Sequence, residues 1–103
     1  MYKIEIERVG RGKSNCHIFI DYGLEFRLYA GFINTDNNEF SLSSKVKNDL
    51  ENKICNMAGN IARGYDLSNI KRKKTITLTK KKHPNTIRAI DEYKKIQNKK
   101  IHS

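Results

Sequence analysis

The residues of this 103-residue chain best equipped for chemistry are cations grouped around one short strand pattern. Lys71, Arg72, Lys73 and Lys74 precede Thr75-Ile76-Thr77-Leu78-Thr79, and Lys80, Lys81 and Lys82 follow it. No acidic residue interrupts the run. Like charges this close repel, so they add nothing to folding, and a polyanionic partner is the economical explanation. The rest of the charge agrees. Residues 1–62 carry eight basic and eight acidic side chains, whereas residues 63–103 carry thirteen basic against Asp66, Asp91 and Glu92, so the net charge of +10 belongs to the second segment alone. The seven cations read as phosphate contacts, with Thr75 and Thr77 available for further hydrogen bonds.

Other chemistries are weaker. Gly10-Arg11-Gly12-Lys13-Ser14 ends like a nucleotide-binding phosphate loop, but that pattern needs glycine where Glu7 stands and a helix after the serine. Cys-His-Ile-Phe-Ile follows instead, so the segment reads as a hairpin loop whose Arg11 and Lys13 can still touch phosphate. Cys16, Cys55, His17, His83 and His102 exhaust the soft metal ligands, and none has the paired spacing of a four-ligand zinc site. No metal or other cofactor is expected. Asp21 and Glu25-Phe26-Arg27 imitate poorly the paired carboxylates and lysine of a metal-dependent nuclease. A metal-independent ribonuclease would use His17 or His83 as general base with a nearby cation, and Arg27 is expected across the sheet from His17.

These residues must be positioned by a small set of elements. Tyr2–Val9 alternates with a period of two, Ile4 and Ile6 on one face and Glu5 and Glu7 on the other, which predicts a half-buried strand. Cys16–Asp21 and Leu24–Phe32 form two more, joined by the three-residue loop Asp21-Tyr22-Gly23. Pairing Ile20 with Leu24, Ile18 with Phe26 and Cys16 with Leu28 keeps one apolar face, and Gly23 then takes positive φ. Asn34–Asn38 is a polar loop. Val46, Leu50, Ile54, Met57, Ala58, Ile61 and Ala62 make one stripe at helical spacing, capped by Ser43 or Ser44 and stopped by Gly64. Asp49 and Lys53 stand four apart on its flank. Gly59 inside that helix marks a close approach to the sheet. In the basic strand Ile76 and Leu78 face the core and Lys73, Thr75 and Thr77 face away. A last helix covers about Thr86–Lys99, fraying at its end, with Ile87, Ile90 and Tyr93 as its apolar stripe.

The expected fold is α+β, an antiparallel sheet of three to four strands packed on one main helix, in the order β-β-β-α-β-α and within one domain. Three strands followed by a helix resemble, in element order alone, the small DNA-binding domains of the integrase amino-terminal type. Phe19 and Tyr29 share the face opposite Ile18 and are able to stack unpaired bases, but the last helix is expected to pack over both. No apolar run approaches the roughly 20 residues that cross a bilayer, and charges within Tyr2-Lys3-Ile4-Glu5 leave no signal-peptide core. The cysteines read as reduced thiols of a cytoplasmic protein. The functional expectation is a non-catalytic nucleic-acid-binding protein gripping phosphate through its basic segment. The Lys-, Ile- and Asn-rich composition suits a phage or mobile element. The alternatives are an inhibitor that binds a nucleic-acid-handling enzyme or nucleoprotein, and a small ribonuclease.

Overall fold

The computed structural model describes residues 1–8 and 14–102, with side chains described as far as Asn98. Five strands are present: β1 (Lys3–Arg8), β2 (Asn15–Asp21), β3 (Leu28–Asn34), β4 (Glu39–Leu42) and β5 (Lys73–Thr77). The helices are α1 (Asp49–Arg63) and α2 (Pro84–His102). All neighbouring strands are antiparallel, in the order β4-β3-β2-β1-β5, which leaves β4 and β5 as the edges. The α+β class and the antiparallel sheet match expectation. The order does not, because four strands precede α1, and the likeness in element order to integrase-type domains ends there.

Alternation sets the two faces of the sheet. Ile4, Ile6, Cys16, Ile18, Ile20, Ile33 and Ile76 are buried on one face against Ile54, Cys55, Ala58 and Ala62 of α1 and Ala89, Ile90 and Tyr93 of α2. Both helices thus lie on the same side. The expectation that the last helix covers Phe19 and Tyr29 is overturned, because its stripe has a better site: Tyr93 meets the buried Tyr22 ring edge-on at 5.5 Å, and Tyr2 Oη donates to Asp91. Among the described α2 side chains beyond Tyr93, Ile96 is exposed; Ile101 and the expected fraying fall outside the described side chains.

The expected register between β2 and β3 fails. Ile20 pairs with Leu28, not Leu24, and Phe26 is 74% exposed. The cause is Tyr22, which turns inward to the core and draws the chain into a longer loop before β3 begins. Gly23 does take positive φ, +85°, with its N–H donating to Asp21 Oδ1 at 3.1 Å. A β-bulge then opens between Ile18 and Phe19: Ile18 faces Gly31, Phe19 faces Tyr29, and Ala30 is the extra, fully buried residue.

Strand β4 stands where the sequence reading passed from a loop into a helix. Asx turns at Asn34 and Asn37 reverse the chain, and Phe40 and Leu42 pack toward the core. The N-cap of α1 is Asn48 rather than Ser43 or Ser44: its Oδ1 accepts from Glu51 N–H at 2.9 Å, and its Nδ2 donates back to Glu51 Oε2 at 3.3 Å. The side-chain acceptor on the Glu51 N–H is an N-cap, reinforced by the side-chain pair, and it places Val46 before the helix. Asp49 and Lys53 form no ion pair. Gly64 does end α1, and Gly59 does mark a close approach. A Cβ on Gly59 would stand 2.6 Å from the Phe40 ring.

Candidate nucleic-acid interface

Strand β5 sits at a sheet edge, and its cations divide by position. Lys73 and Thr75 pair with Glu7 and Glu5 of β1, and Thr77 pairs with Lys3, which puts these three side chains on the face away from the helices. Lys74 pairs with Ile6 and points the other way, its Nζ lying 5.3 Å from the centre of the Tyr65 ring. Lys71 and Arg72 precede the strand, where Arg72 C=O accepts from Arg8 N–H at 2.9 Å. The Arg8 guanidinium is itself committed to the backbone, donating to the carbonyls of Ile70 at 2.6 Å and Leu67 at 2.9 Å. At the other end Lys80, Lys81 and Lys82 form a turn closed by Thr79, whose Oγ1 accepts from Lys82 N–H at 3.1 Å. The single patch expected from sequence is therefore two clusters. Five residues of β5 hold them at least about 13 Å apart, since a strand rises about 3.3 Å per residue. Lys71, Arg72, Lys80, Lys81 and Lys82 are exposed, and none is ion-paired among the described residues. Arg11 and Lys13, with the rest of the glycine-rich loop from Val9, lie outside the described residues.

The uncovered face holds what the sequence reading did not assemble. Cross-strand pairing sets Thr75, Glu5, Phe19 and Tyr29 in one row and Lys73, Glu7, His17, Phe32 and Ser41 in the next. The rings cluster: His17 to Tyr29 is 5.1 Å between centroids and Phe19 to Tyr29 is 5.3 Å. Phe32 belongs to this face, although regular alternation from Leu24, Phe26 and Leu28 puts it in the apolar row. The bulge at Ala30 is responsible, because residues 29 and 32 of a regular strand point to opposite sides. No residue type announces such a bulge, although Gly31 (φ +143°) is the trace it leaves in sequence.

Arg27 does not lie across from His17, whose partner is Phe32. It folds over the sheet instead, with Nη1 2.6 Å from Glu5 Oε1 and 2.9 Å from Glu7 Oε2, and its guanidinium 3.9 Å above the Phe19 ring. Lys73 Nζ completes the group, 3.2 Å from Glu5 Oε2. Burial pushes the Glu5 carboxyl up, but the hydrogen bonds and charges of Arg27 and Lys73 more than offset it and hold the group below its ordinary value. Two carboxylates and two cations thus cancel. This commits Arg27 to internal pairs, so it is a poor candidate for stabilising a phosphorane beside His17. His83, the other candidate base, stands in the turn before α2, where its backbone N–H donates to the Thr79 carbonyl at 2.7 Å. Among the described residues no three His, Cys, Asp or Glu side chains converge as metal ligands, and no helix is long and apolar enough to cross a membrane.

A cleft of about 310 Å³ opens where β4 leaves the sheet, lined by Tyr29, Phe32, Leu42, Ser43, Ser44 and Lys45. No family, curated protein or solved structure matches this chain.

Proposed function

We propose that the protein is a non-catalytic nucleic-acid-binding protein that holds a phosphate backbone along its β5 edge. One observation carries this reading: five exposed cations, none ion-paired among the described residues, stand in two clusters at either end of an edge strand. A single phosphate cannot reach both clusters, whereas a polyanion with one charge per roughly 3.4 Å of each duplex strand can. Protection of an exposed edge accounts for lysines within a strand, and so for Lys73 and Lys74. It does not account for cations in the segments that flank it. Replacing Lys80, Lys81 and Lys82 with glutamine should weaken binding to random duplex and lower the slope of log K against log salt by about 2–3. The same change at Lys47, Lys53 and Lys95 should leave both nearly as they were. Equal losses from the two triples would sink the reading.

A protein partner is favoured by a different observation, the 74% exposed Phe26 on the loop before β3. An exposed aromatic anchor suits an inhibitor of a nucleic-acid-handling enzyme. Capture from lysate with and without nuclease separates the two, since only a direct protein partner survives digestion.

A further inference from the structure

We propose that the uncovered face is a platform for single-stranded nucleic acid, and that the cleft beside Tyr29 and Phe32 seats one unpaired base. The inference rests on the nucleic-acid reading above and names the form of its substrate. At about 310 Å³ the cleft lies at the lower end of the roughly 300–1,000 Å³ usual for ligand pockets. Its lining suits a base and the phosphate attached to it. Tyr29 and Phe32 bring aromatic rings to a base; Ser43 and Ser44 offer hydroxyls to its edge; Lys45 offers a cation to its phosphate. Ser43 Oγ already accepts from Lys45 N–H at 3.2 Å, which orders the loop and leaves the hydroxyl proton to donate.

Single strands are singled out by geometry. In a duplex both faces of every base are covered by neighbours, so a ring beside a cleft can be stacked only by a base that is unpaired. Within the aromatic cluster Phe19 is already capped by the Arg27 guanidinium at 3.9 Å, whereas Tyr29 and Phe32 line open space. Charge completes the case. Glu5 and Glu7 would repel a backbone crossing the face, but Arg27 and Lys73 neutralise them. Cations then remain at both margins, Lys45 beside β4 and Lys71 and Arg72 before β5. Four strand spacings of about 4.8 Å set the two edges roughly 19 Å apart. Because β4 and β5 run in the same direction, these cations stand at opposite corners of the face, so an extended single strand joining them crosses it diagonally past Tyr29 and Phe32.

The test compares wild type, Tyr29→Leu and Tyr29→Phe for binding to labelled oligo-dT and oligo-U of about 15 nucleotides and to random duplex. Tyr29→Leu keeps apolar bulk and loses the ring, so it should bind both single strands roughly tenfold more weakly and duplex unchanged. Tyr29→Phe should bind as wild type does. Single-strand binding by Tyr29→Leu equal to wild type, while the Lys80–Lys82 variant loses it, overturns the platform and leaves the phosphate grip standing. Absence of wild-type binding to every oligonucleotide at about 50 mM salt overturns both. Should Tyr29→Leu fail to fold, Tyr29→Trp supplies a direct readout, because the chain has no other tryptophan. Its emission should be quenched by oligo-dT and not by duplex, and an unquenched signal under saturating oligo-dT overturns the inference.

Discussion

Glu5 is the residue on which the uncovered face depends. It is a buried carboxylate held in its charged form by Arg27 and Lys73. Its depressed folded-state pKa gives a definite sign to the pH dependence of stability. Unfolded, a glutamate titrates near 4.3, so the contribution is fully present above about pH 5 and is lost as pH falls through the lower folded value. Urea denaturation of wild type should show that loss below about pH 4.3, and Glu5→Gln should remove part of it. Identical acid profiles for the two proteins would contradict the assignment. The cysteines behave oppositely. Burial, with Glu51 adding to it, pushes the Cys55 thiol up to about 12, and burial raises Cys16 as well. Thiolate is the reactive form, so a disulfide reagent should leave both untouched in native protein and modify both after unfolding. Rapid labelling of native protein at neutral pH would show that the core opens more readily than its packing implies.

At the scale of elements, α1 and β4 lock together through one ring. Phe40 lies between Gly31 of β3 and Gly59 of α1, and a Cβ at Gly59 would approach it to 2.6 Å. Gly59→Ala should therefore cost about 1–3 kcal/mol in thermal or denaturant unfolding, as overpacking does, although alanine is the better helix former. Phe40→Leu should recover part of that loss, and a stabilised Gly59→Ala protein would refute the contact. Ile54→Ala should cost more, about 2–5 kcal/mol, because Ile54 is fully buried, and Leu50→Ala less, because Leu50 is half-buried. Such elements were legible to different degrees. The α1 stripe, β1, β2 and β5 could be read because each has one uninterrupted period. Strand β4 could not, since its four residues supply too few alternations to compete with the helical spacing that begins at Val46. The Tyr22 loop and the Ala30 bulge break the period of β3, and both are decided by tertiary packing. Because that bulge brings Tyr29 and Phe32 to one face, the aromatic half of the site was hidden where the cationic half was plain.

The molecule as a whole pairs a charge-balanced sheet with two separate cationic ends, and its response to salt should report that arrangement. If Lys71, Arg72, Lys80, Lys81 and Lys82 each neutralise one phosphate, log K should fall with log salt with a slope of about −4.5 on duplex and −3.5 on single strands. A fourfold rise in salt then weakens duplex binding roughly 500-fold and single-strand binding roughly 130-fold. A nearly flat dependence, measured by anisotropy across about 50–200 mM, would rule out the five-cation grip. The strand order has a consequence for the making of the protein. Strand β1 lies between β2, which ends at Asp21, and β5, which ends at Thr77. On the ribosome β1 finds its first neighbour early, but its second edge stays open for the roughly 3–11 s needed to translate the intervening chain at about 5–20 residues per second. During that interval Ile4 and Ile6 sit on an unpaired strand that can recruit the same segment of another nascent chain. The strand that finally closes it becomes an edge in its turn, and the like charges at both of its ends discourage a second copy from pairing there.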